Sequence, residues 1–427
     1  MRKLFVLLLI VILFPIDTRD DKRGPVISEG FQSAPVQTIR AELRAFTDYK
    51  QRLEASGKKI DDQGVLIETL EGNQRLAEQN SDTPFNPASV MKLATSLAAL
   101  SKFGPDYRFR TDFLADGEID PATRRLSGDL VAVGNNDPMF NQASVEQVAR
   151  ALAQVGITRV TGSLRLSGSF TYFATGYHDR LQPETSASKL LAGLRRAGIR
   201  VDGGYTFGER SGTLLLSHYS DELVRILLFQ NAHSSNPVAE VVGSAVGGPV
   251  QIRSFLVNSL GIPESDVFIS RASGLEFNRI TPGGAIKVLR ALIAVLEKYS
   301  LKPEDIMPVA GVDSGTLRAR FAADQVRGAI VAKTGTLSSI DGGVSTLVGI
   351  AHTKSGGTLL FAIFDTDGSV RGYRRLQDSL LEGVVEEEGG GVAVSRLMDG
   401  LASFAADSII QIHYRGRSES GLERLAD

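Results

Sequence analysis

The sequence contains no cysteine, which excludes disulfides, thiolate metal sites, a cysteine nucleophile and a lipidated N-terminal cysteine. Tryptophan is absent as well. Histidine is scarce: His178, His218, His233, His352 and His413 are scattered, and no Gly-x-Ser-x-Gly accompanies them, so a Ser-His-Asp esterase finds no constellation. Paired His or carboxylate motifs of metal-ligand spacing are missing, and neither a metal nor another cofactor is expected. Neither sign of charge prevails. Forty-seven Lys and Arg face 49 Asp and Glu, a net charge of −2, which leaves no footprint for nucleic acid. The apolar run Leu4 to Phe14, after Arg2 and Lys3, is too short for a comfortable membrane span and matches a secretory signal. Pro15-Ile16-Asp17-Thr18-Arg19 stands where a small-residue cleavage site belongs. The chain is expected to be exported to the periplasm or cell envelope, with residues 1–24 a signal peptide or an N-terminal anchor giving loose membrane association.

What is present begins with bulk: 427 residues, 42% of them hydrophobic, are enough for two or three domains with sizeable cores. The most informative stretch is Asn86-Pro87-Ala88-Ser89-Val90-Met91-Lys92, followed by the apolar run Leu93 to Leu100. Asn86 suits an N-cap and Pro87 the first helical position, which predicts Ser89 in the first turn, where free N–H groups and the positive dipole end favour a developing oxyanion. Lys92, at i+3, shares a face with Ser89, while Leu93, Leu97 and Leu100 face a core. Ser-x-x-Lys recurs at Ser56 to Lys59, in a polar connection, and at Ser186 to Lys189, without the Asn-Pro start. Both read as chance.

Elsewhere, Val36, Ile39, Leu43, Phe46, Tyr49 and Leu53 recur at spacings of three and four, predicting a helix from Ala34 to about Glu54. Gly64 to Leu70, the turn Glu71-Gly72-Asn73 and a second short run predict a hairpin. Short strand-like runs at Tyr107–Phe113, Leu126–Val133 and Gly162–Leu166, with helices near Ser144–Val155 and Lys189–Ala197, mark residues 105–214 as an inserted module. Ser234-x-Asn236 then opens helical stretches at Ala239–Leu260 and Gly283–Lys298. Taken alone, Ser234 and Asn236 suit a plain cap or turn. Arg327 to Thr336, Val344 to His352 and Thr358 to Asp365 predict an antiparallel meander with Lys333 near the end of its first strand. Gly335 permits close approach of a ligand backbone, and Thr334 and Thr336 put hydroxyls beside the Lys333 ammonium, which makes a carboxylate seat; taken alone, Lys-Thr-Gly suits a solvated strand end equally well. Residues 386–427 read as a Glu/Gly linker and a helical stripe of Val394, Leu397, Met398, Leu401 and Phe404.

Ser89-x-x-Lys92, Ser234-x-Asn236 and Lys333-Thr334-Gly335 come in the order found in penicillin-binding proteins and class A β-lactamases. With Phe85-Asn86-Pro87-Ala88-Ser89, Phe103-Gly104-Pro105-Asp106-Tyr107-Arg108-Phe109, Gly128-Asp129-Leu130 to Asp137-Pro138, Met307-Pro308-Val309-Ala310-Gly311 to Gly315-Thr316-Leu317 and Lys333-Thr334-Gly335-Thr336-Leu337, the chain resembles the D-alanyl-D-alanine carboxypeptidases of the low-molecular-mass class C penicillin-binding proteins, the S13 peptidase family. The likeness runs from about Gly64 to Asp365. It implies an α/β (α+β) fold of the penicillin-binding-protein/β-lactamase type, an antiparallel sheet flanked by helices. The catalytic domain would be discontinuous, residues 25–104 and 215–385, with a mainly β accessory module at 105–214.

The resemblance also implies roles. Ser89 would attack the carbonyl of the penultimate D-Ala of a peptidoglycan stem peptide, and Lys92 would be the base, neutral through burial and the nearby charge of Lys333. Ser234 would relay a proton to the leaving amine, Asn236 would bind the substrate amide, and Lys333, Thr334 and Thr336 would hold the terminal carboxylate. The N–H groups of Ser89 and Thr336 would form the oxyanion hole, worth ~3 kcal/mol per donor. β-Lactams would be covalent inhibitors. Ser235 stands where the family has Asp, and the short insertion and absent tryptophan predict a missing or reduced accessory domain. The alternatives are a non-catalytic cell-wall binding protein that kept the pocket, or a β-lactamase or esterase of the same superfamily. Against a β-lactamase stands the lack of a third-motif Glu of the class A kind.

Overall fold

A computed structural model describes residues 38–39, 42–396 and 408–414. One six-stranded sheet runs in the order Thr38–Ile39, Gln74–Gln79, Gly64–Thr69, Thr358–Asp365, Val344–His352, Ile330–Leu337. Its pairings are antiparallel except the first, which is parallel. The strands are apolar on both faces because helices cover both. Along Thr358–Asp365, Leu360, Ala362 and Phe364 join the core under the helices Met91–Phe103 and Pro282–Lys298, while Leu359, Phe361 and Ile363 join the core under Arg44–Ala55 and Val370–Glu387. This is the period-two alternation of a strand, with both sets dry. Each such large apolar side chain contributes about 1.5–3 kcal/mol on burial.

A second sheet gathers Ile409–Ile412, Thr213–Tyr219, Arg110–Asp120 and Arg125–Asn135, with Leu164–Ser169 laid parallel to the last. That parallel pairing needs a crossover, which the helix Gln142–Gln154 provides. This helix and Pro183–Arg196 share a core with the sheet: Phe113, Leu130, Val148, Leu152, Leu190 and Leu194 are fully buried there.

Several expectations change. Ile39 is in a strand, and the helix begins only at Arg44, after Leu43 adopts an extended backbone. Ala239–Leu260 is two helices, Asn236–Val246 and Gly248–Leu260, because Gly247 and Gly248 take φ of 114° and 82° and Pro249 follows. The Glu/Gly stretch is no loose linker: the helix Val370–Glu387 runs into it and Gly391 bridges to Thr353. Val394 is not helical and packs against the core, while Leu397, Met398, Leu401 and Phe404 lie outside the described residues, as do residues 1–24. Ile409–Ile412, expected as tail, is a strand of the second sheet, and Thr213–Tyr219 carries that sheet past residue 214. Among the described residues no helix is long and apolar enough to cross a membrane.

Candidate active site

Ser89 sits in the 3-10 turn Ala88–Val90, one step before the helix Met91–Phe103 begins. Asn86 is therefore no simple helix cap. Its Oδ1 accepts from Ala88 N at 3.0 Å, and its amide donates to the Glu276 carbonyl at 3.0 Å, so it shapes the approach to the turn. Ala88 is fully buried with φ 47°, a left-handed conformation that costs a non-glycine residue roughly 1–2 kcal/mol. Two glycines press on this strained turn. A Cβ on Gly335 would meet Thr346 Oγ1 at 2.0 Å and Pro87 O at 2.5 Å, and one on Gly274 would meet Ala88 O at 1.9 Å. Gly335 thus makes room for the Ser89 turn, a reason besides the ligand approach expected of it.

Lys92 is completely buried, and its Nζ has three neighbours: Ser89 Oγ at 2.9 Å, Asn236 Oδ1 at 2.7 Å and the Ser273 carbonyl at 2.7 Å. Two of these are carbonyl oxygens that can only accept. A neutral amine has two N–H donors and one lone pair, so donating to both carbonyls leaves the lone pair for the Ser89 hydroxyl proton. Burial, and then the charge of Lys333, push the Lys92 pKa well below its ordinary value, against the opposing pull of Glu240.

Ser234 follows the helix Leu223–Ala232 in a left-handed conformation, φ 54°, and Asn236 opens the next helix. Lys333, also fully buried, extends from the strand Ile330–Leu337 and donates to Ser234 Oγ at 2.9 Å and to the Thr334 carbonyl at 2.6 Å. Burial lowers its pKa to about 7. The Thr334 hydroxyl bonds that of Thr316 at 2.9 Å, and Thr316 N donates to Ala232 O at 2.9 Å, which ties the Lys333 strand to the Ser234 turn. Thr336 Oγ1 accepts from Arg374 at 2.8 Å, which brings a second cation to the proposed carboxylate seat.

The seven residues thus fall into two hydrogen-bonded groups, Ser89–Lys92–Asn236 and Ser234–Lys333–Thr334, with Thr336 farther along the Lys333 strand. The sequence reading gave no site role to Ser273, Glu240, Thr316 and Arg374; Thr316 stood in the Gly315-Thr316-Leu317 stretch that supports the resemblance, and no local pattern flags the other three. A cleft of about 470 Å³ opens beside this arrangement, walled by residues 173–178 on one side and by Phe229, His233 and residues 234–237 on the other. The other Ser-x-x-Lys copies are structural: Ser56 bonds the Leu53 carbonyl at a helix end, and Ser186 accepts from Tyr172 N.

A family model described as the D-Ala-D-Ala carboxypeptidase 3 (S13) family matches residues 50–180 and 177–380. A curated carboxypeptidase of Mycobacterium tuberculosis is 27% identical over 379 residues, covering 74% of this chain and 78% of the relative. Carboxypeptidase DacB of Mycolicibacterium smegmatis is 28% identical over 397 residues, 80% and 83% of the two chains. Among solved structures, Bd3459, a predatory peptidoglycan endopeptidase from Bdellovibrio bacteriovorus, matches with TM-score 0.69 and 21% identity over 82% of this chain and 98% of that one. Penicillin binding protein 4 from Haemophilus influenzae matches with TM-score 0.65 and 20% identity over 79% and 98%, and has also been solved with a β-lactam. These two likenesses establish the shared penicillin-binding-protein fold.

Proposed function

The chain belongs to the D-Ala-D-Ala carboxypeptidase 3 (S13) family and is a serine-type carboxypeptidase, and from that premise we propose that Ser89 is its nucleophile, acting on the D-Ala-D-Ala ends of peptidoglycan stem peptides. The observation that carries the assignment is the set of neighbours around Lys92 Nζ, two carbonyl acceptors and one hydroxyl. Lys92 takes the Ser89 proton as Oγ attacks the carbonyl carbon of the penultimate D-Ala. The oxyanion meets the N–H groups of Ser89 and Thr336. Ser234, hydrogen-bonded to Lys333, relays the proton held by Lys92 to the leaving amine as the C–N bond breaks, so free D-Ala departs and Lys92 is neutral again. Asn236 aligns the peptide amide, and Lys333 with Thr334 and Thr336 holds the terminal carboxylate. Water then attacks the acyl-enzyme, with Lys92 again receiving the proton, and restores Ser89.

A β-lactam offers the same carbonyl to Ser89, but its amine stays tethered after ring opening, so the acyl-enzyme persists. In the same reading, the residues on either side of Arg110–Tyr219 form the catalytic domain, that segment presents the large substrate, and residues 386–396 dock on the main domain. The chain works in the cell envelope, delivered by its first 24 residues. Chromatography and mass spectrometry of a muropeptide digest test the reaction. Stem peptides ending in D-Ala-D-Ala should lose one D-Ala, and Ser89→Ala should abolish that loss. Release unchanged in Ser89→Ala would remove the assignment, and disappearance of cross-linked dimers would add endopeptidase activity to it.

A further inference from the structure

A cluster of charges stands beside the site without a part in the proposed reaction. Arg271, in the loop after residue 269, contacts three carboxylates at once: Asp179 at 2.5 Å, Glu276 at 3.0 Å and Glu240 at 3.2 Å. They come from three places. Asp179 follows the cleft wall of residues 173–178, Glu276 shares the Arg271 loop, and Glu240 lies in the helix Asn236–Val246, one turn beyond Asn236. Glu240 Oε1 also accepts from Ser273 N at 2.9 Å, and the Ser273 carbonyl receives the Lys92 amine at 2.7 Å. An unbroken chain of contacts therefore runs from the accessory segment to the base: Asp179, Arg271, Glu240, Ser273, Lys92.

We propose that Arg271 is a positioning residue that ties the accessory segment to the base lysine and, by neutralising Glu240, sets the pH range in which Lys92 accepts the Ser89 proton. This rests on the reading of Lys92 as the base. The electrostatic argument has a definite sign. Lys92 feels the charge of Lys333, which favours the neutral amine, and that of Glu240, which favours the ammonium. Arg271 offsets Glu240, and it is the only cation recorded in contact with that carboxylate among the described residues. Removing Arg271 leaves Glu240, Asp179 and Glu276 uncompensated on the side of the lysine, and the ammonium gains. Removing the Glu240 charge does the reverse. Asp179 is at the far end of the chain of contacts and half exposed, so its loss frees the cleft wall without adding charge near Lys92.

The test is the rate of acylation by a chromogenic penicillin against pH in the full chain, which requires no presented polymer. In Arg271→Gln the acidic limb should move up by roughly one pH unit, and in Glu240→Gln, which keeps an acceptor for Ser273 N, it should move down by about as much. Arg271→Lys keeps a positive charge and should restore most of the limb. Asp179→Asn should leave the limb in place and raise KM for a stem peptide while kcat holds. Slower acylation with an unmoved limb in both Arg271→Gln and Glu240→Gln, each checked for folding by circular dichroism, would overturn the proposal. If the wild-type protein shows no acidic limb, or takes no penicillin at all, the reading of Lys92 fails first, and the two outcomes are distinct.

Discussion

At the scale of single residues, the two buried lysines are chemically alike and differ in what surrounds them. Lys92 is boxed by two carbonyls and a hydroxyl, which suits a lone pair directed at Ser89. Arginine cannot supply a neutral amine, so Lys92→Arg should collapse acylation, by at least about 100-fold as for loss of a general base. Lys333→Arg keeps a partner for a carboxylate and should be milder; stopped-flow measurement with a labelled penicillin compares the two, and equal losses would argue against the division of roles. Lys333 also gives a pH prediction. Its pKa, lowered by burial to about 7, means that the ammonium is lost in the free enzyme as pH rises through that value. A bound carboxylate favours the ammonium and lifts the pKa. For a peptide substrate kcat/KM should therefore fall on the alkaline side near pH 7, with kcat falling later, because the first reports the free enzyme and the second the complex. Alkaline limbs that coincide would contradict this.

At the scale of elements, the site depends on how closely the Lys333 strand lies against the Ser89 turn. Gly335→Ala would drive a methyl into Thr346 Oγ1 and Pro87 O, so the strand must withdraw from Ala88. A loss of about 1–3 kcal/mol in urea denaturation is expected, with slowed acylation, since overpacking moves backbone. Unchanged stability and rate would show that the strand has slack. Elements that announce themselves locally were legible: Ser89 and Lys92 are three residues apart, and the meander around Lys333 shows in its three apolar runs and its Asp341-Gly342 turn. The rest of the site was not. Glu240 meets Ser273 across 33 positions and Asp179 meets Arg271 across 92, pairings that only the completed fold creates. Ala88 could not be foreseen in a left-handed conformation, because alanine disfavours it and the turn is held by packing from distant glycines. The strand Ile409–Ile412 was missed for a similar reason: it is four residues long and acquires its partner from Thr213–Tyr219.

At the scale of the whole molecule, the segment Arg110–Tyr219 leaves and rejoins the main body at one place, and Ile409–Ile412 joins its sheet from the far end of the chain. Arg110 pairs with Tyr219, Ser220 N donates to Phe109 O at 2.8 Å, and Phe109 already belongs to the core beneath the Lys92 helix. Cutting at residue 214 would sever a strand, so the excision that respects the structure joins Phe109 to Ser220 by a short Gly/Ser linker and also ends the chain before Ser408, because Ile409–Ile412 would lose its partner strand. That protein should keep penicillin labelling of Ser89 and lose activity on cross-linked peptidoglycan, because remote binding energy positions the polymer and not the small drug. Equal loss of both would mean that the segment helps to build the catalytic centre, as the wall of residues 173–178 and the Asp179–Arg271 pair allow. All of these expectations depend on one covalent event, and peptide mapping by mass spectrometry after brief exposure to penicillin observes it directly. The account predicts one penicilloyl group per chain, on the peptide containing Ser89, persistent over many minutes and absent in Ser89→Ala. An adduct that survives Ser89→Ala, or rapid turnover of the drug with no adduct, would contradict it.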